Sequence, residues 1–394
     1  MKLKHLRIGD YRHLKDLDFD FTYQSGKKKG QTLEKICFIG QSATGKTSIL
    51  ELIKSISIYE NGTYVQAEYN DSLNRSGFTS SKYFFENKNN DSKIYSFSSE
   101  ILNSKNFHNF ERSLQPNKEI ISISSINKDL IKINTLSNVD EPVMEFDKID
   151  VWNAIFKPFI SYQNEFLNVV SKNIGSGDTS QDAYQKIVDW KTNNPSPLDE
   201  LSQKCLNPIF NKFNLEVDTK DTSSLIVLKP ISKEKGVPAN ALSTGTKQIL
   251  MTALPIFALS TENNIIMLDE PERSLYPDIQ IGLMDYYRDL APKAQFIVAT
   301  HSPFIAAAFE PDERFILYFD NNGDVKVRRG SSPIGDDPND MLKNDFDVNY
   351  YNQYGEAAYK KYIEMKENVA SEKDPIKKRE LLVETSKFGN IYNF

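Results

Sequence analysis

The chain has 394 residues, of which 39% are hydrophobic and 26% charged, so it can build a packed core and wholesale disorder is excluded. The formal net charge of −6 excludes a global basic field for nucleic acid, although a local patch stays open. The two cysteines make no disulfide framework. No apolar run reaches about 18 residues, and the first residues lack the apolar core of a signal peptide, so we expect a cytoplasmic protein with no membrane partner.

The chain opens with two predicted strands, at residues 3–8 and 17–23, in which apolar and polar side chains alternate. A turn with three consecutive lysines, 27–29, follows and is either a solvated loop tip or a contact for a nucleic-acid backbone. Residues 36–39 form an apolar run of buried-strand length. Apolar residues then recur at helical spacing over 49–58, which predicts a helix.

Between this strand and this helix lies G-x-x-x-x-G-K-T, a motif typical of a phosphate-binding P-loop. Gly40 and Gly45 permit backbone angles that a Cβ would block, so the loop can turn its N–H groups towards phosphate. We expect Lys46 to reach the β- and γ-phosphates of ATP and the Thr47 hydroxyl to hold Mg²⁺. The predicted nucleotide-binding residues are Gly40, Gln41, Ser42, Ala43, Thr44, Gly45, Lys46, Thr47 and Ser48.

The middle of the chain changes character. Residues 60–150 are polar with short β-like runs, which predicts a β-rich lobe, whereas residues 150–212 carry apolar residues at helical spacing. Ser196 is expected to open one of these helices. The β-like runs are 82–85, 93–97 and 119–126. A strand pair is predicted at 215–218 and 225–228.

The C-terminal third carries three further motifs. LSTGTKQ, residues 242–248, precedes a helix predicted over 248–259. IIMLDE, residues 265–270, is a buried strand that ends in two acids. QFIVATHSP, residues 295–303, is another apolar strand, which ends in a histidine and is stopped by a proline. The charged tail predicts a helical hairpin.

The ends of these strands are expected to meet. Gly40, Asp269 and His301 each follow an apolar strand, and ligands of mostly parallel sheets bind at the carboxyl ends of the strands. Asp269 would hold Mg²⁺ together with Thr47, and Glu270 would orient and deprotonate the attacking water. His301 is placed to sense the γ-phosphate. The predicted catalytic residues are therefore Lys46, Glu270 and His301.

The four motifs occur in the order of Walker A, ABC signature, Walker B and H-loop, and the sequence resembles ABC-type ATPases in this respect. It is similar to the non-transporter branch, which includes RecF and SMC-like repair ATPases, and most of all to the OLD-like ATPases of bacterial defence systems. The resemblance covers about 1–58 and 213–330. In repair ATPases a residue set like Tyr11-Arg12-His13 lies near the nucleotide, so Arg12 either does so here or is a surface residue.

The resemblance implies that ATP is sandwiched in a head-to-tail homodimer or a higher even oligomer. Lys46, Thr47, Asp269, Glu270 and His301 would act from one subunit, and Ser243, Thr244 and Gly245 would contact the γ-phosphate from the other. Ser243 also has the character of a helix N-cap. Residues 274–276 would form the D-loop at the dimer interface. Thr244, Thr246 and Tyr276 depart from frequent family residues, which favours slow turnover.

The predicted fold class is α/β: an ABC-ATPase head with a mostly parallel central sheet, an N-terminal antiparallel β-subdomain, an inserted β/helical lobe and a C-terminal helical hairpin. We expect the ATPase domain at 1–58 and 213–330, the inserted lobe at 59–212 and the helical tail at 331–394. The tail lacks the acidic set of a Toprim nuclease domain and resembles ATPase subunits of Septu-type and retron-linked defence operons. This implies a separate effector, either a nuclease or a toxin.

Two alternatives stay open. A RecF-type or SMC-like ATPase would bind DNA across the dimer and would show salt-dependent affinity. An ATP-gated scaffold would bind ATP and barely hydrolyse it.

Overall fold

The computed structural model describes residues 1–55, 65–70, 76–86, 94–98, 143–145, 149–174, 179–221, 226–237, 241–258, 264–348 and 353–392. The strands in these residues are β1 (Lys2–Tyr11), β2 (Leu14–Asp20), β3 (Lys35–Gly40), β4 (Val65–Asn70), β5 (Ser76–Glu86), β6 (Ile94–Ser98), β7 (Val143–Glu145), β8 (Leu215–Val217), β9 (Leu228–Pro230), β10 (Ile265–Asp269), β11 (Gln295–Ala299), β12 (Arg314–Phe319) and β13 (Val325–Arg329). The helices are α1 (Lys46–Ser55), α2 (Ile149–Ile174), α3 (Ser180–Asn193), α4 (Pro197–Leu201), α5 (Asn207–Phe210), α6 (Thr244–Ala258), α7 (Pro277–Ile281), α8 (Leu283–Leu290), α9 (Pro303–Ala306), α10 (Pro338–Asn344), α11 (Gln353–Ser371) and α12 (Pro375–Tyr392).

The chain divides into two compact units, Met1–Asp336 and Asp337–Phe394, and each is described by itself. The first unit holds the strands and the helices from α1 to α9. The second holds α10, α11 and α12, and the last two form the predicted helical hairpin. Within the described residues, no helix is long and apolar enough to cross a membrane.

The P-loop strand β3 lies inside a seven-stranded sheet with the order β13-β12-β3-β11-β10-β6-β7. Every described pairing in this sheet is parallel except that of the edge strand β13 with β12. All residues of β3 and β11 are buried, as expected for strands that are covered on both faces of a parallel sheet. The predicted α/β class with a mostly parallel central sheet is therefore confirmed.

An antiparallel sheet with the order β2-β1-β5-β4 forms the predicted N-terminal β-subdomain. Four buried phenylalanines join it to the main sheet, with ring centroids between 5.1 and 6.2 Å apart. They are Phe19, Phe21, Phe38 and Phe315. Aromatic pairs at these separations stabilise beyond their buried area, so the two sheets share one core.

A buried glutamine at the start of β11 fixes the two sheets further. The Gln295 side chain accepts a hydrogen bond from the N–H of Leu3 at 2.7 Å and donates to the carbonyl oxygens of Leu3 and Leu33 at 3.0 and 2.8 Å. A buried amide needs such partners, because leaving it unpaired costs roughly 1–3 kcal/mol. β11 is thereby held beside the N-terminal strands.

Some strands of the predicted inserted lobe belong to the two sheets just described. β5 contains the β-like run 82–85 and pairs with β1, whereas β6 contains most of the run 93–97 and pairs with β10. The run 119–126 lies outside the described residues. Helices α2 to α5 agree with the helices predicted over 150–212, and Ser196 caps α4 through the N–H of Leu198. The domain boundaries themselves stay a prediction.

Several element boundaries differ from the prediction, and two of the differences have a clear local cause. Helix α6 begins at Thr244 rather than at Gln248, because the Ser243 hydroxyl accepts the N–H of Thr246 and starts the helix one turn earlier. Strand β9 lies at Leu228–Pro230 rather than at 225–228, and Lys229 faces Glu216 across the pair. An ion pair of 3.5 Å joins these two side chains.

Candidate nucleotide-binding site

The P-loop leaves β3 through a glycine that no other residue can replace without a shift of the backbone. A Cβ at Gly40 would lie 2.4 Å from the carbonyl oxygen of Leu317 on the neighbouring strand β12. At Gly45, where φ is +94°, a Cβ would lie 2.6 Å from Leu14 and 2.9 Å from the His13 ring. Glycine is therefore needed at Gly40 because the backbone of β12 approaches closely, and at Gly45 because the backbone is left-handed.

Lys46 is buried at the base of this loop. Its ammonium donates hydrogen bonds to the carbonyl oxygens of Gly40 at 2.7 Å and Gln41 at 3.0 Å. Burial is the largest cause that lowers the pKa of Lys46 to about 8, and the nearby carboxylates of Asp269 and Glu270 oppose it. An ammonium in this position lacks water, so an anion such as phosphate is a favourable partner.

The predicted Walker B acid lies beside the P-loop. The Thr47 hydroxyl and Asp269 Oδ1 are 3.4 Å apart. Burial is the largest cause that raises the pKa of Asp269 to about 6, assisted by Glu270 and Glu272 and opposed by Thr47 and Lys46. A hydroxyl and a carboxylate at this distance are oxygen donors that suit Mg²⁺.

Glu270 has a left-handed backbone conformation, with φ at +49°, which is uncommon for a residue with a side chain. Its N–H donates to the carbonyl oxygen of Ala299 on β11, at 2.9 Å. The carboxylate lies 3.9 Å from Nε2 of His301. The backbone turn therefore directs Glu270 towards the histidine, and strain of this kind is concentrated at functional sites.

His301 is held by a neighbouring acid. Its backbone N–H donates to Glu272 Oε1 at 2.7 Å, and the Ser302 side chain caps helix α9 by accepting from the backbone N–H groups of Phe304 and Ile305. Burial and the charge of Lys46 lower the pKa of His301, which favours the neutral ring. A neutral imidazole can accept a hydrogen bond or donate one, depending on its tautomer.

Lys46, Thr47, Glu270 and His301 line one cleft with a volume of about 320 Å³. Its described lining consists of His13, Ser42, Ala43, Gly45, Lys46, Thr47, Ser48, Glu270 and His301. Asp269, 3.4 Å from the Thr47 hydroxyl, is not part of this described lining. Thr44 is buried and its hydroxyl donates to the carbonyl oxygen of Gln41, so it shapes the loop from inside. Of the predicted Walker residues, the structure thus brings together those that follow β3, β10 and β11, which are adjacent strands.

The signature segment, residues 243–245, is absent from the described lining of this cleft. Ser243 and Thr244 are exposed at the start of α6. Gly245 is buried against the predicted D-loop, where a Cβ would lie 2.6 Å from the carbonyl oxygen of Ser274. Ser274 itself is left-handed, with φ at +61°. The signature segment and the D-loop therefore form one packed surface.

Sequence reasoning missed two residues that position the site. Gln248 donates from its amide to the carbonyl oxygens of Glu270 at 3.4 Å and Pro271 at 3.1 Å, so α6 supports the Walker B loop. Glu272 holds the backbone of His301. The motif DEPE contained the second residue, but only the tertiary structure shows what it binds. Neither role follows from local spacing.

The sequence leaves Arg12 open between a nucleotide contact and a surface residue. The structure places its guanidinium on helix α1, 3.2 Å from the Ser48 hydroxyl and 2.5 Å from the Glu51 carboxylate. Its neighbour His13 is the residue that lines the cleft. Within the described residues, no group of three or more His, Cys, Asp or Glu side chains is arranged to hold a metal ion.

The fold and these motifs define a P-loop ATPase-type domain. Residues 35–307 match the family model described as "AAA domain, putative AbiEii toxin, Type IV TA system", and the chain belongs to this family. The matched range contains all four motifs and the strands β3, β10 and β11.

The chain is also similar to "Septu protein PtuA" from Bacillus thuringiensis, with 35% identity over 65 residues. That match covers 16% of each chain, so the chain spans only a small part of this relative by alignment. Among solved structures, an SMC head domain from Thermotoga maritima has 14% identity and a TM-score of 0.39, with 84% of this chain and 100% of that chain covered. An SMC head from Pyrococcus furiosus, bound to the C-terminal domain of ScpA, has 12% identity and the same TM-score of 0.39, with 84% and 96% covered.

Proposed function

We propose that this protein binds ATP with Mg²⁺ in the cleft and hydrolyses it to ADP and phosphate. The observation that carries the proposal is that Lys46, Glu270 and His301 line one cleft at the carboxyl ends of the adjacent strands β3, β10 and β11, with Asp269 3.4 Å from the neighbouring Thr47 hydroxyl. Family membership supports the same function, because the matched family is a P-loop ATPase type.

Each side chain has a distinct part in the proposal. Lys46 exchanges its bonds to the loop carbonyls for bonds to phosphate oxygens, and Glu270 accepts a proton from the attacking water. His301, 3.9 Å from Glu270 and neutral near pH 7, contacts the terminal phosphate or the water. Mg²⁺, held by Thr47 and Asp269 with phosphate and water oxygens, would neutralise charge on the phosphates.

Catalysis is proposed to need a second copy of the chain. The exposed N-terminus of α6, with Ser243 and Thr244, has the N–H groups and hydroxyls of an anion site. It is absent from the described lining of the chain's own cleft. A head-to-tail homodimer would place this signature segment, with Gly245, on the nucleotide of the partner. This arrangement gives the exposed segment a chemical role.

The biological role is proposed to be anti-phage defence, in which the ATPase controls a separate nuclease or toxin. Two observations support it: the short match to a Septu protein and a family description that mentions a toxin–antitoxin system. A RecF-type DNA ATPase is the second candidate. It is favoured only by the exposed loop with Lys27, Lys28 and Lys29, which could contact a phosphate backbone.

The test compares Mg²⁺-dependent ATP turnover and particle mass for the wild type and Glu270→Gln, each with and without ATP. We expect the variant to bind ATP, to lose turnover by about 100-fold or more, and to accumulate as an ATP-bound dimer. Asp278→Asn, on the first turn of α7, is a matched control and should leave turnover unchanged.

Three results would decide against parts of the proposal. Wild-type protein that binds ATP as an oligomer without turnover would favour the scaffold. Turnover that survives in Glu270→Gln would remove Glu270 as the base. Protein that binds no ATP at all would overturn the nucleotide site itself.

A further inference from the structure

The last helix, α12, carries an exposed stripe on one face. The stripe consists of Ile376, Glu380, Val383, Lys387 and Ile391, which recur every three or four residues and so lie along one side of the helix. Both isoleucines are about three-quarters exposed, at 73% and 75%, and Val383 is 47% exposed. Large apolar side chains aligned in this way on a charged helix are unusual for a surface that meets only water.

The opposite face of α12 is already occupied. Thr385 and Gly389 are buried there. At 100° per residue these positions point away from the stripe. The stripe is therefore not the seam of the hairpin, and within the second unit it faces outward.

The order of residues in the stripe is apolar, acidic, apolar, basic, apolar. Read in the opposite direction, the acidic and basic positions exchange, so the stripe is complementary to itself in an antiparallel pair. If a second α12 lies antiparallel to the first, with a two-fold axis between Val383 and Glu384, Ile376 meets Ile391 and Glu380 meets Lys387. Both contacts occur twice, because a two-fold interface is self-complementary. The two Val383 side chains then flank the axis, and each also meets Glu384 of the second copy, a residue that borders the stripe. A shift of the register between the two helices by a single residue would break both the apolar and the charged pairs.

We infer that α12 is a docking surface for α12 of a second copy of this chain, in an interface that needs no nucleotide. The self-complementary spacing of Ile376 with Ile391 and of Glu380 with Lys387 favours a second copy over an unrelated partner. A single helix pair buries less area than a stable permanent dimer needs, so the contact is weak by itself, with dissociation in the micromolar range. Joined to the proposed ATP-dependent dimer, it would link dimers into higher even oligomers by avidity.

The experiment measures self-association of the full chain without nucleotide by sedimentation velocity over a concentration series. All variants are made in a Lys46→Ala background, so nucleotide-driven dimerisation cannot contribute. We expect the parent to dimerise at micromolar concentration. Glu380→Lys sets two lysine ammonium groups against each other at both contacts and should weaken the dimer by about tenfold or more.

The decisive variant is the charge swap Glu380→Lys with Lys387→Glu. It should restore association to within about threefold of the parent, because the exchanged pair has the same geometry. Lys378→Glu, an equal charge reversal on the other side of α12, should have no effect on the dimer. Restored dimerisation in the charge swap would also show that the single variant did not simply lose helix structure. Circular dichroism checks this independently.

Two results would overturn the inference. One is a parent chain that stays monomeric up to several hundred micromolar. The other is a dimer whose dissociation constant is the same in the parent, the single variant and the charge swap. In either case ATP binding and turnover by the wild type are unaffected, so the proposed function stands or falls separately.

Discussion

The nucleotide cleft and the signature segment lie in the same unit but differ in what completes them. The cleft gathers side chains from the ends of three adjacent strands, and its lysine already has bonds to two loop carbonyls. The signature segment presents Ser243 and Thr244 outward and packs only its glycine, against the predicted D-loop. The cleft is organised within a single chain, whereas the signature segment is exposed and is proposed to act on the nucleotide of a partner.

The strongest test of ATP binding in the cleft removes the Lys46 ammonium. Lys46→Ala should weaken ATP binding by about 100-fold or more, because the buried ammonium is the group placed to pair with phosphate. Fluorescent ATP titration measures the change. Lys29→Ala, in the exposed loop before β3, is the matched control and should bind ATP like the wild type. An unchanged affinity of Lys46→Ala for ATP would show that ATP does not bind in this cleft.

A mixing experiment tests whether the signature segment works on a partner. Thr244→Glu keeps the Ser243 cap and adds a charge that suits a helix N-terminus, but it repels phosphate. This variant and Lys46→Ala should each lose turnover. An equal mixture should regain about a quarter of wild-type turnover, because half of the dimers then contain one intact composite site.

Thr244→Ser, which keeps the hydroxyl, is the uncharged control and should retain most turnover. A mixture that stays inactive would contradict the composite site. Full activity of Thr244→Glu by itself would show that the signature segment never meets the nucleotide.

Gly245 tests the surface that the signature segment shares with the D-loop. Gly245→Ala places a methyl group 2.6 Å from the carbonyl oxygen of Ser274, so backbone must move. We expect a loss of about 1–3 kcal/mol in the free energy of unfolding and a fall in turnover of roughly tenfold. Chemical denaturation and an ATPase assay measure the two effects.

Gly282→Ala is the matched control. Its Cβ would meet only Nζ of Lys212, the flexible end of a long side chain. The substitution should cost less than about 1 kcal/mol and leave turnover intact. Equal effects at the two glycines would contradict a special role for the signature surface.

The smallest expected effect concerns the stability of the nucleotide-free cleft. Burial raises the pKa of Asp269 to about 6, so folding disfavours its carboxylate, and this loss of stability develops as pH rises from about 4 to 6. Asp269→Asn removes the charge. It should therefore raise the free energy of unfolding at pH 7.5 by about 1 kcal/mol, after allowance for solvent screening, and change little at pH 4.

Thermal unfolding at both pH values, without Mg²⁺ and nucleotide, measures this difference. The expected gain is confined to the higher pH because at pH 4 Asp269 is neutral in the folded protein and already close to half protonated in the unfolded chain. A variant that is destabilised at pH 7.5 would show that the carboxylate stabilises the cleft instead.

Much of this site could be predicted because its signals are local. The P-loop, the two acids after β10 and the histidine after β11 each follow an apolar run, and strands of a parallel sheet bring their carboxyl ends together. The helical hairpin also follows from local periodicity. Apolar spacing alone misplaces the start of α6, because the Ser243 cap begins the helix earlier.

The rest depends on contacts between distant residues. Nothing in the sequence around Gln248 indicates that its amide holds the carbonyls of Glu270 and Pro271. The left-handed conformation of Glu270 cannot be predicted from the sequence either, because only the surrounding structure can maintain an uncommon backbone angle. The sequence places the strands β6 and β7 in a separate lobe, since their polar surroundings conceal that they extend the central sheet.

The place of β3 between β11 and β12 has a consequence for synthesis on the ribosome. Gln295, at the start of β11, bonds to the carbonyl of Leu33, which lies 262 residues earlier. At roughly 5–20 residues per second, that interval takes about 13–50 s to translate. During this time the apolar strand β3 has neither lateral neighbour, and an unpaired apolar strand invites aggregation. Until β11 is made, early burial of β3 against β1 and β2, or a holding factor, is therefore needed to protect this strand.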